Sequence, residues 1–411
     1  MALPTRTHPL IARFLTSESF EKLQRQTARA VEKLVGRDAT LRFFHDPGCA
    51  RSWLMLEALI ACQENYDVQI VPYLVPSPAE PYVRDLRAYY GLSLADAQVQ
   101  ATYYGLTRPQ RQPSQPQIQT VLQELRDRPK SPDWLRYAHH LGQALFCGTS
   151  IPETFGQITG LEANEQLLHQ LGNYRGGSVF AHGAWYFGVD RFSLIEKGYQ
   201  ALGVGEGETL IARPQALPKI PKNTLYFYFS FRSPFSYIAL PRVLTLAATY
   251  DLPLETVAVF TPENERRPAP LRMQLSLLLD AAREGRSAHV HFGRVNALSR
   301  ETHEELTAVF YGLQGDQERQ RRYLHAAMRA VWSRGVDFEA PNAWDRIRQE
   351  AKLSSDEVQR FTQDRSWIPD ARSHGEYLQS KGYLDVPAFR IGSTLYWGYD
   401  RLTQLEHQLQ P

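Results

Sequence analysis

Two short stretches combine residue types and spacing suited to chemistry at sulfur: Ser233-Pro234-Phe235-Ser236 and Cys49-Ala50-Arg51-Ser52. Each follows an apolar run, Tyr226-Phe227-Tyr228-Phe229 or Leu41-Arg42-Phe43-Phe44, and each opens a segment that reads as a helix. Pro234 suits a first helical position, because its missing N–H would be unpaired there anyway. The unpaired N–H groups and positive dipole end of such a helix favour an anion beside Ser233 or Cys49, and a thiolate is one such anion. A serine hydroxyl does not ionise near neutral pH. Ser233 would therefore act by donating a hydrogen bond to the thiolate of a bound thiol, or would simply cap the helix. Cys49 has Ser52 where a resolving cysteine would stand, so mixed disulfides, monothiol chemistry and an inert relic all remain open.

The elements that must position these residues recur. Cys49 and Ser233 are 184 residues apart (233 − 49), as are Leu41 and Leu225, Ser52 and Ser236. A second strand is expected in each half, Val68 to Pro76 and Leu254 to Pro262, both leaving at a proline. Helix-rich polar regions follow, 79–172 and 263–382. Each half then closes on a hairpin and helix: Ser178-Val179-Phe180 to Val189-Asp190-Arg191, and Pro387-Ala388-Phe389 to Tyr399-Asp400-Arg401. A repeat this long reads as a duplicated domain. The segment 203–223 is rich in Gly and Pro and reads as a linker. Residues 1–40 form a helical extension, whose amphipathic helix at 16–36 is expected to pack on the first domain.

The pattern of Tyr226 to Leu240, with Asp385-Val386-Pro387-Ala388-Phe389 and Trp397-Gly398-Tyr399-Asp400-Arg401 far downstream, resembles the DsbA-like branch of 2-hydroxychromene-2-carboxylate isomerases and kappa-class glutathione transferases. The resemblance spans nearly the whole second half. It implies an α/β chain of two tandem thioredoxin-like domains, 41–202 and 224–411, each with a helical insertion. It also implies glutathione as cosubstrate, with Ser233 stabilising its thiolate. Val386-Pro387 would be the cis-proline loop, the Val386 backbone offering N–H and C=O to a peptide-like ligand. Ser236, Asp400 and Asn264 would join the binding site, Asp400 near the glutathione α-amino group or else as a helix N-cap. Tyr399 stands where the kappa-type enzymes have a serine, which removes one donor. In the first half Gly177-Ser178 replaces Val-Pro, while Asp190 is retained.

Composition sets the outer bounds. The 411 residues are enough for two or three domains, and 43% hydrophobic with 22% charged residues is ordinary globular protein. A net charge of +2 gives no electrostatic case for nucleic acid. No run of about 18 apolar residues suggests a membrane span, and the N-terminus lacks a secretory core, so a cytoplasmic location is expected. Of three cysteines none pairs as Cys-x-x-Cys; Cys62 and Cys147 read as core. His289-x-His291 has no third ligand nearby, so no metal is expected and both read as surface residues. The reading is a glutathione-dependent isomerase or transferase acting on a small electrophilic or aromatic substrate. Its rivals are a thiol–disulfide oxidoreductase working through Cys49 and a non-catalytic binding protein. The oligomeric state, a homodimer included, stays open.

Overall fold

The computed structural model describes residues 9–34, 39–78, 82–83, 85–131, 133–148, 151, 159–205, 216–260, 270–383 and 385–410. The chain divides into an N-terminal unit, Lys22–Pro218, and a C-terminal unit made of Lys219–Pro411 with Met1–Glu21. No helix among the described residues is long and apolar enough to cross a membrane.

The N-terminal unit is built on β1 (Ala39–His45) and β2 (Val68–Leu74), which pair in parallel, and on β3 (Ser178–Ala181) and β4 (Ala184–Phe187). The strand order is β2-β1-β3-β4, with β3 antiparallel to β1 and β4 antiparallel to β3. A parallel pair needs a crossover, and α3 (Ala50–Asn65) supplies it between β1 and β2. The expected second strand stops at Leu74, with Pro72 inside it; proline is tolerated there because β2 is an edge strand. Four helices fill the expected insertion where it is described: α4 (Leu86–Tyr104), α5 (Gln115–Asp127), α6 (Trp134–Cys147) and α7 (Glu162–Leu171). After β4 comes α8 (Phe192–Gln200).

The C-terminal unit repeats this order as β6-β5-β7-β8, from β5 (Leu225–Phe229), β6 (Leu254–Ala258), β7 (Ala388–Ile391) and β8 (Thr394–Trp397). Again the first two strands are parallel and the rest antiparallel. The crossover is α9 (Pro234–Thr249), and α10 (Leu271–Ser287), α11 (Arg300–Gly312) and α12 (Gln317–Arg329) follow. A π-helical turn, Ala330–Arg334, continues α12. Among the described residues α13 (Asp345–Ala351), α14 (Ser355–Gln363) and α15 (Ile368–Ser380) complete the insertion, and α16 (Arg401–Leu409) follows β8. β5 alternates, with Phe227 and Phe229 wholly buried in the core and Phe227 stacked on Phe389 at 5.6 Å, while Tyr226 is half-buried beneath the Arg390 guanidinium.

The N-terminal extension does not act as one piece. The expected amphipathic helix is α2 (Glu18–Leu34), whose residues from Lys22 onward fall in the N-terminal unit, where Gln24 Nε2 donates to Gly183 O at 2.7 Å. The short helix α1 (Pro9–Leu15) instead belongs to the C-terminal unit, and Ala12 is wholly buried in that unit's core. Thr16 Oγ1 ties back to Ala12 O at 2.8 Å, and Arg286 Nη1 donates to Thr16 O at 2.6 Å. Residues 290–299 run past this arm without helix or strand. Ala12→Asp should therefore destabilise the C-terminal unit by about 3 kcal/mol or more, since it buries a carboxylate without a partner. Calorimetry would register this as a drop in the melting temperature, and an unchanged transition would contradict the packing of α1.

Candidate active site at the start of α9

The second strand–turn–helix stretch places Ser233 at the N-cap of α9, extended at φ −100° and ψ 113°, with Pro234 following in the first turn. Its hydroxyl accepts from Ser236 N at 3.2 Å and donates to Val386 O at 2.6 Å. The Val386–Pro387 peptide bond is cis. Thus the loop before β7 meets the N-terminus of α9, and residues 153 apart in sequence share one hydrogen bond. The Val386 N–H is engaged as well, donating to Asp385 Oδ1 at 2.7 Å. Both main-chain groups expected to face a ligand are therefore satisfied from within the chain.

Around this contact the turn is braced. Ser230 N donates to Ser236 Oγ at 3.4 Å, and Ser230 Oγ lies 3.2 Å from His303 Nε2 on α11. Trp332, in the π-helical turn, donates its indole N–H to Phe231 O at 3.0 Å. Ser236, expected to contact a ligand, is wholly buried, and its hydroxyl accepts from the Ser230 N–H. Gly398 N donates to Pro387 O at 3.0 Å, which brings the β8 exit and half-buried Asp400 to the same loop. Asp400 sits at the N-cap position of α16 with helical dihedrals and makes no side-chain cap bond there, so it is not the capping residue the sequence allowed. Tyr399 is a core residue, and burial raises its phenol pKa while nearby Arg242 pulls it the other way. Asn264 lies outside the described residues.

Beside Ser233 opens a pocket with about 370 Å³ of empty space, part of it open to solvent. Arg232 and Pro234 line it from the turn, Leu278 from α10, Asn296 and Leu298 from the irregular segment, and Trp332 from the π-turn. Its character is apolar with a few convergent polar groups, the usual make-up of a small-molecule site. The sequence reading passed over Arg232, Asn296 and Trp332. Arg232 was legible as a cation next to the serine; the other two come from distant segments with no motif of their own. His289 and His291 are exposed.

Comparison with known proteins bears directly on this half. Residues 224–410 match the family described as the DSBA-like thioredoxin domain. This half of the chain is a DSBA-like thioredoxin domain. Over 195 residues it is 27% identical to the 2-hydroxychromene-2-carboxylate isomerase of Pseudomonas putida, covering 44% of this chain and 91% of that protein. The same enzyme from Sphingobium xenophagum is 23% identical over 198 residues, 46% of this chain and 98% of that one. Among solved structures, a 2-hydroxychromene-2-carboxylate isomerase aligns with a TM-score of 0.38 at 21% identity, covering 44% of this chain and 92% of that one. A cytosolic disulfide reductase from Pseudomonas aeruginosa aligns with a TM-score of 0.33 at 14% identity, covering 42% and 87%.

The N-terminal unit places Cys49 where the DSBA-like domain places Ser233, at the N-cap of its first crossover helix. The surroundings differ. Cys49 is 1% exposed, and its Sγ lies 3.2 Å from Ser93 Oγ on α4. Tyr90, also on α4, covers Gly48 so closely that a Cβ there would sit 2.6 Å from the ring. A disulfide partner could reach Cys49 only if α4 moved. Tyr90 Oη lies 3.0 Å from Asp46 Oδ1 and 2.8 Å from Ser77 Oγ. Burial raises the Asp46 carboxyl pKa to about 7, against the pull of its bonds from Tyr90 and Gly48 N. Burial likewise holds His45, whose Nδ1 is 2.9 Å from Ser52 Oγ, neutral by lowering its pKa to about 3. Where the other half has Val386-Pro387, Gly177 turns at φ 79° and donates its N–H to Phe44 O at 2.8 Å. Asp190 accepts from Gln100 Nε2 at 2.8 Å and from Tyr104 Oη at 3.0 Å, both on α4. Cys62 is buried, with its thiol pKa raised to about 12 by burial and by Glu196. Cys147 is only half-buried, because it is the last residue of α6 rather than a core residue.

Proposed function

We propose that the DSBA-like half binds a small thiol such as glutathione at Ser233 and uses it on an electrophilic or aromatic compound held in the adjoining pocket. The observation that carries this reading is the buried Ser233 hydroxyl at the N-terminus of α9, whose chain neighbours Arg232 and Pro234 line that pocket. The helix end and the hydroxyl together would favour thiolate over thiol. The thiolate adds to an activated double bond of the substrate. Rotation and elimination then return the thiol and give the isomer, whereas retention of the new C–S bond gives the conjugate. The related proteins named as isomerases support the first outcome. Asp400, brought to the loop by the Gly398–Pro387 bond, would take the cosubstrate's amino group.

The same strand order and strand senses in both sheets support reading the N-terminal unit as a second, duplicated thioredoxin-like domain. Its helix-end thiol is closed off by α4, which favours a structural or binding role over redox turnover. Titration calorimetry with glutathione tests the assignment. Wild type and Cys49→Ala should bind alike, with one site per chain. Failure of the wild type to bind would remove the glutathione reading, while loss of binding only in Cys49→Ala would move the site to the N-terminal unit.

A further inference from the structure

The Ser233 proton is already spent. It points at Val386 O, 2.6 Å away, while the hydroxyl's oxygen accepts from Ser236 N. To serve a thiolate the hydroxyl must turn away, and it then leaves a carbonyl on a residue that is only 7% exposed. An unpaired buried carbonyl is costly. The neighbouring N–H is occupied in the same manner, by Asp385 Oδ1 at 2.7 Å. So the two groups through which an extended peptide could add to Val386 are each capped by a side chain, one of them the side chain needed for chemistry.

We propose that Asp385 and Ser233 form a removable cap on the Val386 backbone, which makes the site selective for a thiol carried on an extended peptide. This rests on the thiol reading above. A peptide segment pairs with a strand through one N–H and one C=O of the same residue. Its N–H supplies Val386 O with a new donor, so the Ser233 hydroxyl is free to turn to the thiolate at no net loss of hydrogen bonds. Its C=O displaces the Asp385 carboxylate from the Val386 N–H. A simple thiol without an amide replaces neither cap and leaves the hydroxyl where it is. Asp385 thereby becomes an affinity-setting residue, a role that the sequence motif it opens did not assign to it.

The test is calorimetric binding of S-methylglutathione, which keeps the peptide frame but has no thiol for Ser233 to acidify. Ser233→Ala and Asp385→Ala each remove one cap in advance, so each should bind this ligand roughly fivefold to tenfold tighter than wild type. Asp385→Asn keeps a side-chain acceptor and should bind like wild type, which also shows that the loop still folds. If both alanine variants bind no tighter than wild type, the cap is overturned while the thiol site stands. If none of the four proteins binds the ligand, the cap and the glutathione reading fall together.

Discussion

Ser233→Ala should lower thiol-dependent turnover by about 10²- to 10³-fold, the usual consequence of removing one preorganised donor from a developing or stabilised anion. The same change deletes the N-cap of α9, where Ser233 accepts from Ser236 N, and a cap of this kind is worth about 1 kcal/mol. The two effects separate by measurement. A loss confined to kcat, with the melting temperature moved only slightly and the acidity of the bound thiol restored to that of the free thiol, fits the assigned role. Retained turnover in a stable Ser233→Ala protein would show that Ser233 is a cap and nothing more.

Asp46→Asn should change how the chain's stability depends on pH, and its sign follows from two neighbouring groups. Asp46 has a folded pKa of about 7 against an ordinary 3.8. Its contribution is fully present below about pH 4 and is lost as pH rises through 7, a difference of at most about 4 kcal/mol. His45 works in the other direction, with a folded pKa of about 3 against 6.5. Its contribution is present above about pH 6.5 and is lost as pH falls through 3. Between roughly pH 4 and 6.5 the two slopes oppose, so together they leave wild-type stability nearly flat in that window. Asp46→Asn removes one of them. Its stability should climb with pH by up to about 1.4 kcal/mol per pH unit across the window and exceed wild type above pH 7. Chemical denaturation at a series of pH values would decide this, and parallel profiles for the two proteins would show that Asp46 does not titrate in the folded chain.

Much of the architecture was legible because backbone chemistry is local. Apolar runs at Leu41 and Leu225, Pro234 at a helix start and Gly/Pro punctuation between them specify strand, turn and helix within a few residues. The same local pattern at both places carries the expectation of a repeat, and the two sheets share one strand order. Tyr399 shows the limit of that kind of reading: it stands where the kappa-type enzymes have a serine, yet its ring packs in the core.

What the sequence determined by itself is thus the kind of element at each position and the residue, Ser233 or Cys49, that each helix end presents. Only the tertiary structure decided whether those residues are available. Cys49 is buried with its Sγ against Ser93, and Tyr90 covers the adjoining Gly48, both reaching in from α4 more than 40 residues away. Ser233 is engaged by a carbonyl 153 residues downstream and flanked by a pocket assembled from three further segments. Even α1 leaves its sequence neighbours to bury Ala12 in the other unit. The reason is physical: helix and strand propensities act over a few residues, while burial and hydrogen-bond satisfaction are settled by whatever the folded chain brings within a few ångströms.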